Sequence, residues 1–226
     1  MYQTKSYLKK CMLCPRRCGA DRQNGEKGYC GAGLQPRAAR AALYYWEEPC
    51  ISGSKGSGAV FFSRCNLSCL FCQNYKISQE GFGKEISITD LGKIFLHLQD
   101  QGASNINLVS ATQYIPQTAE AIRFARANGL TLPIVYNSNA YESIEALKLL
   151  DGLVDVYLPD LKYADNKYSL KYSNAPDYFY HATRAILEMY RQTGNPSYDT
   201  NGMIQKGMLI RHLLLPGLQE DSKKIL

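Results

Sequence analysis

Long apolar runs are missing from this sequence. The longest, such as Gly58 to Ser63, fall far short of the roughly 20 residues that cross a bilayer, so no membrane-spanning helix is expected. The opening residues, Met1-Tyr2-Gln3-Thr4-Lys5, lack the apolar segment of a secretory signal, which predicts a cytoplasmic protein. No internal repeat or low-complexity tract is present, and this argues against solenoids and disordered linkers. Histidine is scarce, with three in the chain, and they are far apart in sequence. The formal net charge is +6, yet Lys and Arg are dispersed among acids rather than gathered into a stripe, so a nucleic-acid partner is not expected.

Cysteine, by contrast, is abundant. Eight of 226 residues is a high count for a reducing compartment, and the tight clustering favours metal ligation over a disulfide framework. With 45% hydrophobic residues, the chain has enough apolar material for one full-sized domain and a small appendage.

Texture divides the chain at about residue 52. From Cys11 to Gly33 there is Cys, Pro and Gly punctuation without hydrophobic periodicity, as in a small metal-stapled loop. Trp46 to Gly58 then reads as a Gly-rich linker. Residues 1–52 are therefore expected to form a Cys-rich segment with its linker, and 53–226 the main domain.

Short β-rich runs follow at Ala59 to Phe62, Ile106 to Ser110, Leu132 to Tyr136, Val154 to Leu158 and Met208 to Leu214. Helical patterns fill the gaps. Leu91, Ile94, Phe95 and Leu98 follow a Thr89 or Asp90 cap and stop at Gly102, and others start at Pro116 and Ser143. Near Tyr178, Ala182, Ile186, Met189 and Tyr190 form one face. Alternating strands and helices demand parallel pairing with right-handed crossovers. An α/β fold is expected, a partial (β/α) barrel that stops inside a further helix at Glu220 to Leu226, as a truncated chain would.

The run Cys65-Asn66-Leu67-Ser68-Cys69-Leu70-Phe71-Cys72 is a CxxxCxxC placed directly after the first of these strands. Three neighbouring thiolates can hold three irons of a cubane and leave the fourth open, as a catalytic centre requires. The alternatives are a zinc loop, buried structural thiols or a ferredoxin-like carrier, and the last would supply four cysteines per cluster. An amino-terminal quartet, Cys11, Cys14, Cys18 and Cys30, supplies four thiolates suited to a closed site. It could hold structural zinc or a second iron–sulfur cluster, and the sequence does not choose. Cys50 has no assigned role.

At these residues the chain resembles the radical S-adenosylmethionine (SAM) superfamily, with Phe71 in the aromatic place before the last cysteine. More closely, Glu47-Glu48-Pro49-Cys50-Ile51-Ser52-Gly53, Phe62-Ser63-Arg64-Cys65, Cys72-Gln73-Asn74-Tyr75, Tyr157-Leu158-Pro159-Asp160-Leu161-Lys162-Tyr163 and Arg211-His212-Leu213-Leu214-Leu215-Pro216-Gly217 resemble the homologues of pyruvate formate-lyase activating enzyme. The resemblance implies an oxidoreductase that cleaves SAM reductively at a four-iron four-sulfur (4Fe-4S) cluster on Cys65, Cys69 and Cys72, and a 5′-deoxyadenosyl radical that abstracts hydrogen. A flavodoxin or ferredoxin would be the reductant, and a glycyl-radical enzyme the partner if the chain is an activase. A small molecule or peptide is the alternative substrate, and a metal-stapled nucleic-acid module the non-enzymatic alternative.

In parallel-stranded barrels the site lies at the carboxyl ends of the strands. Ser110, Thr112 and Gln113, Asn137 and Asn139, Asp160 and Lys162, and Arg211 and His212 fall there. The family's Gly-Gly-Glu, which holds the SAM amino group, is here Ser110-Ala111-Thr112, so Thr112 or Gln113 would have to substitute. Asp160 and Lys162 match the family's Asp-x-Lys, with Lys162 facing the SAM carboxylate. Asn137 and Asn139 are equally ligands or turn residues, and a histidine placed like His212 on an apolar strand is more often a satisfied core residue than a ligand.

Overall fold

The computed structural model describes residues 2–226. Its strands are β1 (Arg37–Tyr44), β2 (Ser57–Phe62), β3 (Lys84–Glu85), β4 (Ile106–Val109), β5 (Ile134–Ser138), β6 (Val156–Pro159), β7 (Ser197–Tyr198) and β8 (Ile204–Met208). Its helices are α1 (Tyr2–Lys9), α2 (Pro49–Ser52), α3 (Tyr75–Ser78), α4 (Ile88–Asp100), α5 (Ile115–Ala127), α6 (Ile144–Leu147), α7 (Asn166–Ser173), α8 (Tyr178–Thr193) and α9 (Gln219–Ser222). Among the described residues no helix is long and apolar enough to cross a membrane.

One sheet runs in the order β3-β1-β2-β4-β5-β6-β8-β7 and does not close. The five strands from β2 to β8 in the middle pair in parallel, while β1, β3 and β7 add antiparallel edges. Burial on both faces is why the central strands read as continuous apolar runs. Val60, Leu108, Ile134 and Tyr136 are fully buried in the core with Leu91, Phe95 and Leu98 of α4. Each such aliphatic or Phe side chain contributes about 1.5–3 kcal/mol by leaving water. Gly92 lets α4 meet α5 closely, because a Cβ there would lie 2.5 Å from Phe124 and 3.1 Å from the Ala121 carbonyl.

Several expected boundaries shift. The α4 cap is Ser87, whose hydroxyl accepts from Asp90 N–H at 3.0 Å and donates to the Asp90 carboxylate at 2.7 Å. Ala182 and Met189 are fully buried on α8, but Tyr190 turns outward. The last parallel strand ends at Met208 rather than spanning 208–214, and beyond it only a single bridge joins Arg211 to Asp160. The helix expected at Glu220 is the one-turn α9.

The larger correction concerns residues 37–58. The stretch read as a linker is built into the fold: Ile51 and Ser52 of α2 are buried, and the Gly58 N–H bonds the Asn105 carbonyl at 2.9 Å. Just before it, β1 pairs with β2 from Ala38 to Tyr44 and extends the sheet.

Candidate active site

The carboxyl ends of β2, β4, β5, β6 and β8 surround an open cavity of about 620 Å³. The chain leaves β2 through Ser63 and Arg64, whose positive φ of 75° turns it sharply into the cysteine loop. Cys69, Phe71 and Cys72 line the cavity. The Cys72 N–H donates to the Cys69 carbonyl at 3.2 Å and closes that turn.

Each thiol is met by polar groups. The Cys65 sulfur accepts from Leu67 N–H at 3.4 Å and Asn139 Nδ2 at 3.5 Å. The Cys69 sulfur accepts from Ser173 Oγ at 3.0 Å, and that hydroxyl is 2.7 Å from Tyr163 OH. Cys72 lies 3.3 Å from Ser78 Oγ. Burial pushes the Cys65 thiol up to about 12, with the neighbouring Cys69 and Cys72 adding to the rise. Cys69 is also raised, chiefly by burial, against the pull of Ser173 and Lys162. A thiolate is therefore held here only against added positive charge, which iron supplies. Among the described residues no three His, Cys, Asp or Glu side chains close on a single metal ion. Three thiols within mutual electrostatic reach, with outer hydrogen-bond donors already in place, fit a cluster of several irons.

Opposite the cysteines lies a charged network. Lys162 Nζ is 2.7 Å from Asp160 Oδ2, and Arg211 Nε is 2.9 Å from Asp160 Oδ1. The Arg211 guanidinium also donates to Asn137 Oδ1 at 2.6 Å and to Glu47 Oε2 at 3.3 Å. Glu47 accepts from Asn107 at 3.1 Å and Asn137 at 3.3 Å through its other oxygen. Burial raises the Glu47 carboxyl, and the nearby Arg211 charge opposes the rise. With its guanidinium engaged on three sides, Arg211 acts as a brace. The Lys162 ammonium has one carboxylate partner and faces the cavity with donors to spare.

Of the residues expected from sequence, Phe71, Ser110, Asn137, Asp160 and Lys162 meet around this cavity. Ser110 adopts a φ of 59°, a strained state for a non-glycine residue, and its N–H bonds the Asn137 carbonyl at 2.9 Å. Thr112 and His212 are not brought there. The Thr112 hydroxyl donates at 2.7 Å to Glu142, a buried carboxylate that also accepts from Tyr136 and Ser138. His212 spans the Leu161 carbonyl at 2.6 Å and Ser222 Oγ at 2.8 Å, so it pins α9 to the barrel. Gln113 lines the quartet cavity instead: its Nε2 donates to the carbonyls of Ser63, Arg64 and Ser110, and its Oε1 is buried without a partner among the described residues. Asn139 acts on the Cys65 sulfur rather than in the cavity.

Sequence reasoning missed Arg40, Tyr44 and Glu47, which reach the cavity from β1 and the turn after it. The Glu47-Glu48-Pro49 run was the available signal. The quartet Cys11, Cys14, Cys18 and Cys30 lines a separate cavity.

A family model described as the radical SAM superfamily matches residues 59–225. The chain is also similar to the uncharacterized protein MJ0674 of Methanocaldococcus jannaschii, at 32% identity over 184 residues. That match takes in 77% of this chain and 52% of the relative, so the chain spans about half the length of the curated relative it matches.

Proposed function

Because the chain belongs to the radical SAM superfamily, we propose that its strand-end cavity holds SAM between the Cys65, Cys69 and Cys72 loop and Lys162, and that it acts on a polypeptide, as a glycyl-radical activase does. Bound together, a 4Fe-4S cluster and SAM supply one-electron reductive cleavage and a hydrogen-abstracting carbon radical.

The residues around the cavity do the rest. Lys162 is positioned by Asp160 to meet a carboxylate. Asp160 is itself fixed by Arg211, which Glu47 and Asn137 restrain. Phe61, Phe71, Ile77 and Val109 give the cavity apolar walls that displace water from a reactive species.

One observation carries this reading: two cluster thiols and the Asp160–Lys162 pair line the same cavity. A polypeptide substrate is favoured by the mouth, where Trp46 is 85% exposed and Leu213 is also exposed. Apolar groups open to solvent at a site suit docking against a second protein surface. The reductant would be a flavodoxin or ferredoxin.

Anaerobically reconstituted protein with dithionite and SAM should release 5′-deoxyadenosine, and absence of turnover with an intact cluster overturns the SAM assignment. A glycyl-radical enzyme incubated with it should gain an EPR-detectable glycyl radical. If 5′-deoxyadenosine forms but no glycyl-radical enzyme acquires the signal, the activase reading fails and the superfamily chemistry stands.

A further inference from the structure

The second group of cysteines is folded for ligation. The Cys11 N–H donates to the Ala20 carbonyl at 3.1 Å, Gly19 N–H to Cys11 at 3.0 Å, and Arg17 N–H to Cys14 at 3.0 Å. These bonds curl residues 11–20 into a tight loop. A turn from Gly28 to Gly31, closed at 2.9 Å, brings Cys30 to the same place. Gly28 has no room for a side chain, since a Cβ there would sit 2.2 Å from the Cys18 sulfur. All four thiols are free and line one cavity, with Cys11 buried and Cys18 exposed, and no three of them close on a single metal ion.

The same cavity is lined by two guanidinium groups, and among the described residues neither has a carboxylate partner. Arg22 is 1% exposed, and its nitrogens bond only carbonyls, those of Gly33 at 2.9 and 2.5 Å and Gln113 at 2.6 Å. Arg16 lies 3.6 Å above the Tyr29 ring and donates to the carbonyls of Asn66 and Asn174. Burying a cation without an anion is costly, and carbonyl dipoles do not cancel the charge. One buried and one half-buried guanidinium around four thiols favour an anionic occupant.

We propose that Cys11, Cys14, Cys18 and Cys30 hold a second metal centre as four thiolates, and that Arg16 and Arg22 are its built-in counter-charges. The charges balance. Loading a cubane core of charge +2, which spans wider-set thiols than a single ion does, releases the four thiol protons and leaves a centre of net charge −2 facing two guanidinium groups. With four protein ligands it has no open position, so it is closed to substrate. Arg16 carries the link onward, because its Nε bond to the Asn66 carbonyl, 3.0 Å long, rests the quartet loop on the loop of Cys65 and Cys69. Tyr29 OH, 2.7 Å from Ser68 Oγ, makes a second such contact.

The test is metal content of the full chain, independent of SAM turnover. A variant with Cys65, Cys69 and Cys72 all changed to Ala should retain one centre of iron and sulfide, and zinc without sulfide in elemental analysis would overturn the cubane. Adding Cys14→Ser should remove it. If the triple variant does not fold, the parent gives the same answer through metal in excess of one 4Fe-4S cluster. Arg22→Met, which keeps bulk and deletes charge, should weaken retention against a chelator by about tenfold or more, and Arg22→Lys should restore much of it. A parent holding only one 4Fe-4S cluster overturns the site, and unchanged retention in Arg22→Met overturns the counter-charge role.

Discussion

Glu47 and Arg211 meet at 3.3 Å although 164 positions separate them in the chain. Glu47 belongs to the turn after the antiparallel strand β1, and Arg211 to the segment that follows the last parallel strand. Their contact ties the two ends of the open sheet across the mouth of the cavity, and Arg211 passes the constraint to Asp160 and so to Lys162.

That pair gives the fold a pH dependence of known sign. The folded-state pKa of Glu47 is raised by burial, so the native state favours the protonated carboxyl. Its contribution is present below the ordinary value of 4.5 and is lost as pH rises through the higher folded value. Glu47→Gln, which cannot ionise, should remove this slope. Melting temperatures of parent and variant between pH 4.5 and 7.5 should show the parent losing ground to Glu47→Gln as pH rises, and parallel curves would refute the assignment.

Lys162→Met should weaken SAM binding by about tenfold to a hundredfold, the range of a charge-assisted hydrogen bond of about 1.5–3 kcal/mol. The cluster should still assemble, since Lys162 supplies no thiolate. Equilibrium binding of SAM to the reconstituted protein checks this, and parental affinity would make Lys162 a spectator.

Each of Cys65→Ala, Cys69→Ala and Cys72→Ala should abolish the SAM-responsive cluster signal, because the site has three protein thiolates and no spare. Anaerobic absorbance and EPR after reconstitution are the readouts. Ser173→Ala should leave the cluster in place but alter its reduction potential, since it removes the hydroxyl that donates to Cys69.

Thr112→Val should leave SAM affinity within about twofold while lowering stability by about 1–3 kcal/mol, the cost of stranding a buried partner. The reason is that its hydroxyl serves Glu142 rather than the cavity. Isothermal binding and denaturant midpoints together test this, and a selective loss of SAM affinity would return Thr112 to the site.

What was legible in the sequence follows physical rules. The parallel strands β2, β4, β5 and β6 showed as apolar runs because both faces are covered, whereas β8, Ile-Gln-Lys-Gly-Met with exposed Gln205 and Lys206, did not, and the cysteine loop showed because its ligands are local. β1 did not show: its Arg37-Ala38-Ala39-Arg40-Ala41-Ala42 run has low strand propensity, and pairing with β2 imposes its conformation. For Thr112 a strand end gives a location but no direction. The short helical turn at Thr112–Tyr114 rotates that hydroxyl away toward Glu142. Glu47 stands out in the sequence by its resemblance alone, since its charged partner lies at the other end of the chain. His212 stood on an apolar run with either role open, and only its two hydrogen bonds show that it fastens α9.

The bond from Arg16 to the Asn174 carbonyl spans 158 positions, and this has a consequence in time. At about 5–20 residues per second, a ribosome needs roughly 8–32 s to make the chain between them. During that interval the four amino-terminal thiols exist without the Asn174 part of the surface on which their loop rests. The order of synthesis thus exposes the quartet first and seats it late, so its thiols face oxidants and stray metal ions for longer than any others in the chain.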